Sequence, residues 1–205
     1  MKKSIIILII TTFTCPLFAQ ILTNEKEKKI KLGFNFGLNH SLLQSKEAIP
    51  KSAVIYNGFG TRLGLIMDCI ISKKLLFSPK IEMAFNESGV NITNSDNTIT
   101  THKIFQSSLE IMSHLVYKIG QGKAIPYLML GPNFRTPVVK EASSSSNFQN
   151  KSDLAIDFGI GLENKLKHFT CAPELRYSLG LLNISQNPTI PHLNYHSLSM
   201  VINFK

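Results

Sequence analysis

Alternation of apolar and polar residues with a period of two constrains the fold of this chain most strongly. In residues 31–39, Leu32, Phe34, Phe36 and Leu38 share one face, and glycines and asparagines occupy the other. This is the period of a β-strand, because successive side chains of a strand point to opposite faces. The same pattern recurs in seven further segments: residues 59–71, 76–92, 104–119, 126–136, 153–166, 169–182 and 195–204.

The length of these segments distinguishes a membrane barrel from a soluble β-protein. Most of them contain 9 to 16 residues, whereas strands of globular proteins average about 5–6. A tilted strand that crosses a bilayer needs about 9–11 residues. The sequence therefore predicts an all-β fold, an eight-stranded antiparallel up-and-down transmembrane β-barrel over residues 31–205. The alternative is a soluble, lipocalin-like barrel with its polar face outside.

The connections between the segments alternate between short and long. Short turns are expected near residues 72–74, 120–123 and 165–168, and long loops near residues 40–57, 93–103, 137–151 and 183–194. An even number of strands with short periplasmic turns and longer outer loops is typical of outer-membrane barrels. The last segment ends in Phe204 followed by Lys205, so the terminal aromatic residue common in such barrels is displaced by one position.

The first twenty residues indicate export. Lys2 and Lys3 precede a short apolar run, and Leu17-Phe18-Ala19 forms a small-residue cleavage site. The run is too short to span a bilayer, which needs about 20 apolar residues. We expect a signal peptide over residues 1–19, a short periplasmic segment over residues 20–30, and localisation in the cell outer membrane. An uncleaved anchor helix is the alternative.

Charge and cysteine content restrict the partners and cofactors. The formal net charge of +9 includes Lys2 and Lys3, so the exported chain remains basic. A basic balance can indicate nucleic acid, but no nucleic-acid-binding module is recognisable and export argues against one. Outer-membrane lipid and lipopolysaccharide are the expected partners. After removal of the signal peptide only Cys69 and Cys171 remain, without the spacing of a disulfide framework or a zinc site. No cofactor or metal is expected.

The polar face of the predicted strands carries nearly balanced charge. In a membrane barrel this face points into the lumen, and eight strands leave room only for side chains. Charges buried there must be paired. We therefore predict a structural lumen network of five basic and six acidic residues and one histidine: Arg62, Asp68, Lys80, Glu82, Glu110, His114, Lys118, Arg135, Asp157, Glu163, Glu174 and Arg176.

The sequence does not predict an enzymatic role. His40, His102 and His192 fall in the predicted outer loops, and Ser41, Ser95 and Asp96 lie in or near such loops. A catalytic site needs convergent geometry, and the chain has no nucleophile-elbow, metal-binding or phosphate-cradling motif. A structural hydrogen bond is the favoured interpretation of His114, which shares a face with Glu110, and a proton relay is the alternative.

Three motifs in the second half of the chain, together with the first strand, resemble a known family. They are PYLMLGPNFR at residues 126–135, DFGIGLE at residues 157–163 and APELRYSLGLLN at residues 172–183. Their order and spacing are similar to those of the PorT-like outer-membrane β-barrels. Pro132 stands where that family tends to have a second glycine, and this implies an edge-like or bulged position.

This resemblance implies a function without catalysis. PorT-like barrels belong to the type IX secretion system and gliding apparatus of Bacteroidota. The expectation is a non-enzymatic component of that pathway, which contacts other secretion proteins through its loops or turns. The alternative is a general structural or adhesin-like barrel whose long extracellular loops bind a ligand.

Overall fold

The computed structural model describes residues 29–94, 96–138, 151–185 and 190–205. The expected signal peptide and residues 20–28 of the expected periplasmic segment lie outside these ranges. Within them, no helix is long and apolar enough to cross a membrane. The described residues form β1 (Ile30–Ser45), β2 (Ala53–Tyr56), β3 (Gly58–Ile70), β4 (Leu75–Asn86), β5 (Ser88–Thr93), β6 (Ile99–Ile104), β7 (Ser107–Lys118), β8 (Ala124–Pro137), β9 (Asp153–Lys165), β10 (Thr170–Gly180) and β11 (Leu193–Phe204).

Eight of these strands form a closed antiparallel barrel. Its order is β1, β3, β4, β7, β8, β9, β10 and β11, and β11 pairs with β1 to close the ring. Each strand therefore lies beside the previous barrel strand of the chain, as in an up-and-down barrel. The predicted eight-stranded barrel is confirmed.

The strands are staggered, as closure of a sheet into a barrel requires. A path that steps from each residue to its paired residue on the next strand leaves β1 at Ile30 and comes back to β1 at His40. The strands are therefore offset by ten residues over one circuit of the barrel. The intermediate positions, in order, are Cys69, Phe77, Leu115, Leu130, Phe158, Tyr177 and Leu198. Side chains far apart in sequence therefore meet at one level of the lumen.

The two faces of each barrel strand differ in exposure as the alternation predicts. Leu32, Phe59 and Leu65 are 72%, 75% and 69% exposed, and they belong to a large set of apolar side chains on the outer surface. The inward positions alternate with them and are buried, and many of these are polar or charged. An apolar exterior around a polar interior suits a barrel surrounded by lipid.

The two ends of the barrel differ in their connections. Turns of four or five residues join β3 to β4, β7 to β8 and β9 to β10 at the end that also holds Ile30 and Lys205. The other end carries the long connections. There β2, β5 and β6 form a separate three-stranded sheet. The sequence pattern instead predicts loops over β2 and most of β6, and the end of one long strand over β5. The predicted strand at residues 76–92 divides at Glu87, where the chain leaves the barrel to enter that sheet.

Pro132 does not introduce the bulge that the resemblance implied. It lies within β8 and pairs with Ile156 of β9. On the β7 side, Met112 pairs with Asn133 and Leu115 with Leu130, so the register is the same before and after the proline. Proline has no N–H to donate, and the ladder is interrupted there without the extra residue that defines a bulge.

Candidate functional site

All twelve residues of the predicted lumen network are buried inside the barrel. They come from six of the eight barrel strands, β3, β4, β7, β8, β9 and β10. The alternation alone brings them to the inward face, because each occupies the polar side of its strand. The structure joins them into several ion-pair groups at successive levels between the two ends.

The middle of the lumen is occupied by Glu82 between two arginines. Arg62 donates from Nη1 to Glu82 Oε2 at 2.9 Å, and Arg176 donates from Nη2 to Oε1 at 2.9 Å. Asn35 Nδ2 donates to the same Oε1 at 2.8 Å. Arg62 also lies 3.4 Å from Glu110 Oε1. The side chains of both arginines and both glutamates have no exposed surface, so these charges are compensated by one another and not by water.

Glu174 is the second centre of the network. Lys80 Nζ lies 2.9 Å and 3.0 Å from its two carboxylate oxygens. Tyr127 donates its hydroxyl hydrogen to Oε2 at 3.0 Å, and Arg176 Nε lies 3.4 Å from Oε1. Arg176 thus contacts both Glu82 and Glu174 and connects the two centres.

Further ion pairs lie towards the long-loop end. Arg135 Nη1 lies 3.1 Å from Asp153 Oδ2, and its Nε lies 3.5 Å from Glu110 Oε1. Another pair lies nearer the middle of the lumen: His114, which is opposite Ser78 of β4, has its Nε2 3.0 Å from Asp157 Oδ2, and Arg176 Nη1 lies 3.8 Å from the same oxygen. The favoured interpretation of His114 was a structural hydrogen bond, and its partner in the structure is Asp157.

The last group lies towards the short-turn end. Lys118 Nζ lies 2.7 Å from Glu163 Oε2. Asp68 accepts a hydrogen bond from Ser78 Oγ at 2.7 Å and pairs with Lys205. The ion pair between Asp68 on β3 and Lys205 after β11 spans β1, the strand at which the barrel closes.

An apolar cluster, here called the cap, lies over the lumen at the long-loop end. Tyr195 joins it to the charged region, because Arg135 Cζ lies 4.8 Å from the centre of its ring. Phe105 packs edge-on against the same ring at a centroid distance of 5.1 Å. The buried members of the cap are Leu43, Ala53, Val90, Ile104, Phe105, Ile184, Ile190, Leu193 and Tyr195.

Several residues that pair with or hydrogen-bond to the predicted lumen network were missing from the predicted set. Asn35, Asn133 and Asp153 lie on the polar faces that the alternation identifies, so their positions were visible in the sequence. Tyr127 is an aromatic residue that points inward, and the alternation of apolar and polar residues does not identify its hydroxyl as a lumen group. Lys205 follows the last strand, where the sequence indicates only a displaced terminal aromatic residue.

The chemistry of the site is that of paired charges. Among the described residues, no group of three or more His, Cys, Asp or Glu side chains is arranged to hold a metal ion. Each carboxylate in the middle of the lumen already has a cationic partner. The arrangement fills the interior, and removal of one partner of a buried pair would leave an uncompensated charge.

The model of the outer membrane protein beta-barrel domain matches residues 18–186. The chain belongs to this family. It is therefore an outer-membrane β-barrel. The expectations of a general outer-membrane barrel and of localisation in the outer membrane are confirmed. No curated protein matches the sequence.

Solved outer-membrane barrels share the fold. The chain is similar to neisserial surface protein A, with a TM-score of 0.52 and 14% identity over 86% of this chain and 98% of that one. It is also similar to OprG from Pseudomonas aeruginosa, with a TM-score of 0.51 and 15% identity over 85% of this chain and 92% of that one. At these identities the likeness shows the fold.

Proposed function

We propose that this protein is a non-enzymatic outer-membrane barrel that works through contacts at its two ends, as a component of the type IX secretion system. The observation that carries the proposal is the filled lumen. Arg62, Glu82 and Arg176 meet in its middle with no exposed side-chain surface. Because paired charges occupy the interior of the barrel, the surfaces available for partner contacts are its outer wall, loops and turns.

The assignment to secretion rests on the resemblance to PorT-like barrels. The motifs at residues 126–135 and 172–183 fall on β8 and β10. These strands supply Arg135, Glu174 and Arg176 to the lumen network. The motifs that carry the resemblance therefore form the wall and interior of the barrel, and we assign partner contacts to the loops and turns. The turn between β3 and β4 carries two exposed lysines, Lys73 and Lys74, which suit an acidic partner surface in the periplasm.

The proposal is tested by deletion and complementation. Cells that lack the protein should retain cargo that carries the type IX signal, and the wild-type gene should restore its export. A Lys73→Glu/Lys74→Glu variant should assemble normally and restore export poorly. Lys165→Glu/Lys167→Glu, in or next to the turn between β9 and β10, is the matched charge reversal. Normal export in the deletion strain would refute the secretion role and leave the barrel assignment untouched.

A second function is favoured by one observation, the folded sheet β2–β5–β6 at the long-loop end. An adhesin-like barrel would bind its ligand there, and Val54 and Ile99 are apolar side chains that this sheet exposes, at 59% and 68%. Under this alternative, Val54→Asp/Ile99→Asp cells should lose attachment to host cells or matrix while type IX export is unchanged. Retained attachment in this variant would contradict the adhesin role.

A further inference from the structure

Five exposed lysines lie at the short-turn end of the barrel and are here called the collar. Lys73 and Lys74 belong to the turn between β3 and β4, Lys123 to the turn between β7 and β8, and Lys165 and Lys167 to the end of β9 and the turn that follows it. Each of the three turns at this end of the barrel therefore presents positive charge to its surroundings.

Within the part of the chain that the structure describes, no exposed acid compensates the collar. The acids towards this end are Asp68, Glu163 and Glu174, and all three are buried in the lumen. Their ion-pair partners are other cations, namely Lys205 for Asp68, Lys118 for Glu163, and Lys80 and Arg176 for Glu174. The charge of the collar is therefore directed at whatever surrounds the barrel.

Each of the three turns also contains an exposed apolar residue at the border of the lipid-facing wall. Ile71, Ile119 and Leu166 are exposed, and each continues the outward-facing alternation of the strand before it. Every collar lysine lies within four positions of one of them. A lysine at such a border lays its apolar stem along the hydrocarbon and places its ammonium group among the headgroups.

The three turns are distributed around the barrel. They are two strands apart in the ring, between β3 and β4, β7 and β8, and β9 and β10. Backbone hydrogen bonds of 2.8 Å link two of them to the next strand of the ring, from Lys118 N to Lys74 O and from Lys165 N to Lys123 O. A protein that docks at one side would contact one turn, whereas a lipid leaflet contacts all three.

We propose that the collar binds anionic phospholipids of the periplasmic leaflet. The short turns of an outer-membrane barrel face the periplasm, and the leaflet on that side of the outer membrane consists of phospholipid. A headgroup with net negative charge attracts lysines at the membrane surface, and a zwitterionic headgroup has no net charge to do so. The preference comes from the summed charge of the collar, and it does not depend on the proposed role in secretion.

The experiment uses the full chain reconstituted into phosphatidylcholine vesicles with a trace of spin-labelled lipid. Electron paramagnetic resonance measures the fraction of the labelled lipid that the barrel immobilises, and hence the relative association constant of each headgroup. At low salt the wild type should bind labelled phosphatidylglycerol at least about twofold more strongly than labelled phosphatidylcholine. High salt should bring this ratio towards one, because it screens exposed charges. A wild-type ratio of one at low salt would overturn the proposal and leave the secretion role untouched.

A pair of variants with the same change in net charge locates the preference. Both replace four exposed lysines by glutamine, and gel migration first establishes that both are folded. The collar variant, which should lose most of the preference, is Lys73→Gln/Lys74→Gln/Lys123→Gln/Lys167→Gln. The matched control, which should keep it, changes the long-loop end and is Lys46→Gln/Lys51→Gln/Lys103→Gln/Lys151→Gln. An equal loss in the control would show that net charge alone sets the ratio, and the collar assignment would be wrong.

Two half variants distinguish a leaflet from a localised partner. Lys73→Gln/Lys74→Gln and Lys123→Gln/Lys167→Gln should each lower the ratio by a similar factor, because a leaflet contacts every turn. A loss confined to one half variant would assign the effect to a single turn and contradict a collar that binds lipid around the barrel.

Discussion

Tyr127 lies across Gly161 on the inner wall of the barrel. A Cβ atom added to Gly161 would be 2.2 Å from the Tyr127 Cζ atom, and its three nearest neighbours would all belong to the Tyr127 side chain. Gly161 pairs with Tyr127 on β8 and with Glu174 on β10. The missing side chain lets the ring cross β9, and the Tyr127 hydroxyl thereby donates to Glu174.

Substitution of Gly161 by alanine should therefore destabilise the barrel. The new methyl group would displace the ring and weaken the Tyr127–Glu174 hydrogen bond. We expect the free energy of unfolding to fall by about 1–3 kcal/mol, the usual cost of overpacking. Because the chain contains no tryptophan, urea unfolding in lipid vesicles should be followed by far-UV circular dichroism and by gel migration.

A double-mutant cycle isolates this contact. In a Tyr127→Ala background the same Gly161→Ala substitution should cost close to nothing, because the atoms that it would meet are gone. The two changes are in contact and are expected to be non-additive. An unchanged cost in the Tyr127→Ala background would show that Gly161 is required for another reason.

The junction of the two charge centres should be the most sensitive point of the lumen. Arg176→Met removes the cation shared by Glu82 and Glu174, and the methionine side chain still occupies most of the space of the arginine. Loss of one partner of a buried pair costs about 3–5 kcal/mol. Lys118→Met is the control, since its side chain is 11% exposed near the short-turn end and its partner Glu163 can gain water. The urea midpoint of Arg176→Met should be clearly lower than that of Lys118→Met; equal midpoints would contradict a central role for Arg176.

The barrel and the composition of its interior were predictable from the sequence because both depend on a period of two. Lipid outside and close packing inside force apolar and polar side chains onto opposite faces of every strand, and the order of residues records this directly. Arg62, Glu82 and Arg176 could therefore be assigned to the lumen without knowledge of their partners.

The pairing itself could not be predicted, because it depends on the stagger of the strands. Lys80 and Glu174 are 94 positions apart and meet through the register of several ladders. Alternation does not record register, since a shift of two residues leaves every face unchanged. The same limit explains the division at Glu87, where the alternation continues while the chain leaves the barrel for the small sheet.

A turn in the connection between β5 and β6 has a defined pH dependence. Asp96 accepts hydrogen bonds from the backbone N–H and the hydroxyl of Thr98, and the side-chain hydrogen bond is the largest cause that lowers the pKa of Asp96 below its ordinary value. A depressed carboxyl pKa stabilises the turn above the ordinary pKa, about 3.9, and this contribution is lost as pH falls through the lowered value.

Thr98→Val should raise the pKa of Asp96 towards the ordinary value, because the hydroxyl donor is lost while the backbone N–H remains. Carboxyl chemical shifts in an NMR titration measure this directly. Asp96→Asn should remove the titration and make exchange of the Thr98 amide faster. An Asp96 titration that is the same in Thr98→Val and in the wild type would contradict the assigned cause.

The lumen is filled at several levels from the cap to the short-turn end, and the removal of two of these levels tests the filled interior. The cap lies at the long-loop end, and the layer formed by Arg62, Glu82 and Arg176 lies deeper. A Phe105→Ala/Tyr195→Ala variant loses the cap rings but keeps this layer, so its conductance in planar bilayers should stay as low as that of the wild type. Arg62→Ala/Glu82→Ala should also stay low, because the cap remains.

The variant with all four substitutions should also show no discrete conductance steps, since the pairs Lys80–Glu174 and Lys118–Glu163 still fill the lumen nearer the short-turn end. Gel migration should first establish that each variant is folded. Conductance steps in the wild type would contradict a filled lumen. Steps in the cap variant alone would show that the charged layer admits ions, and the two ends of the barrel would then be connected by a gated path instead of separated by a scaffold.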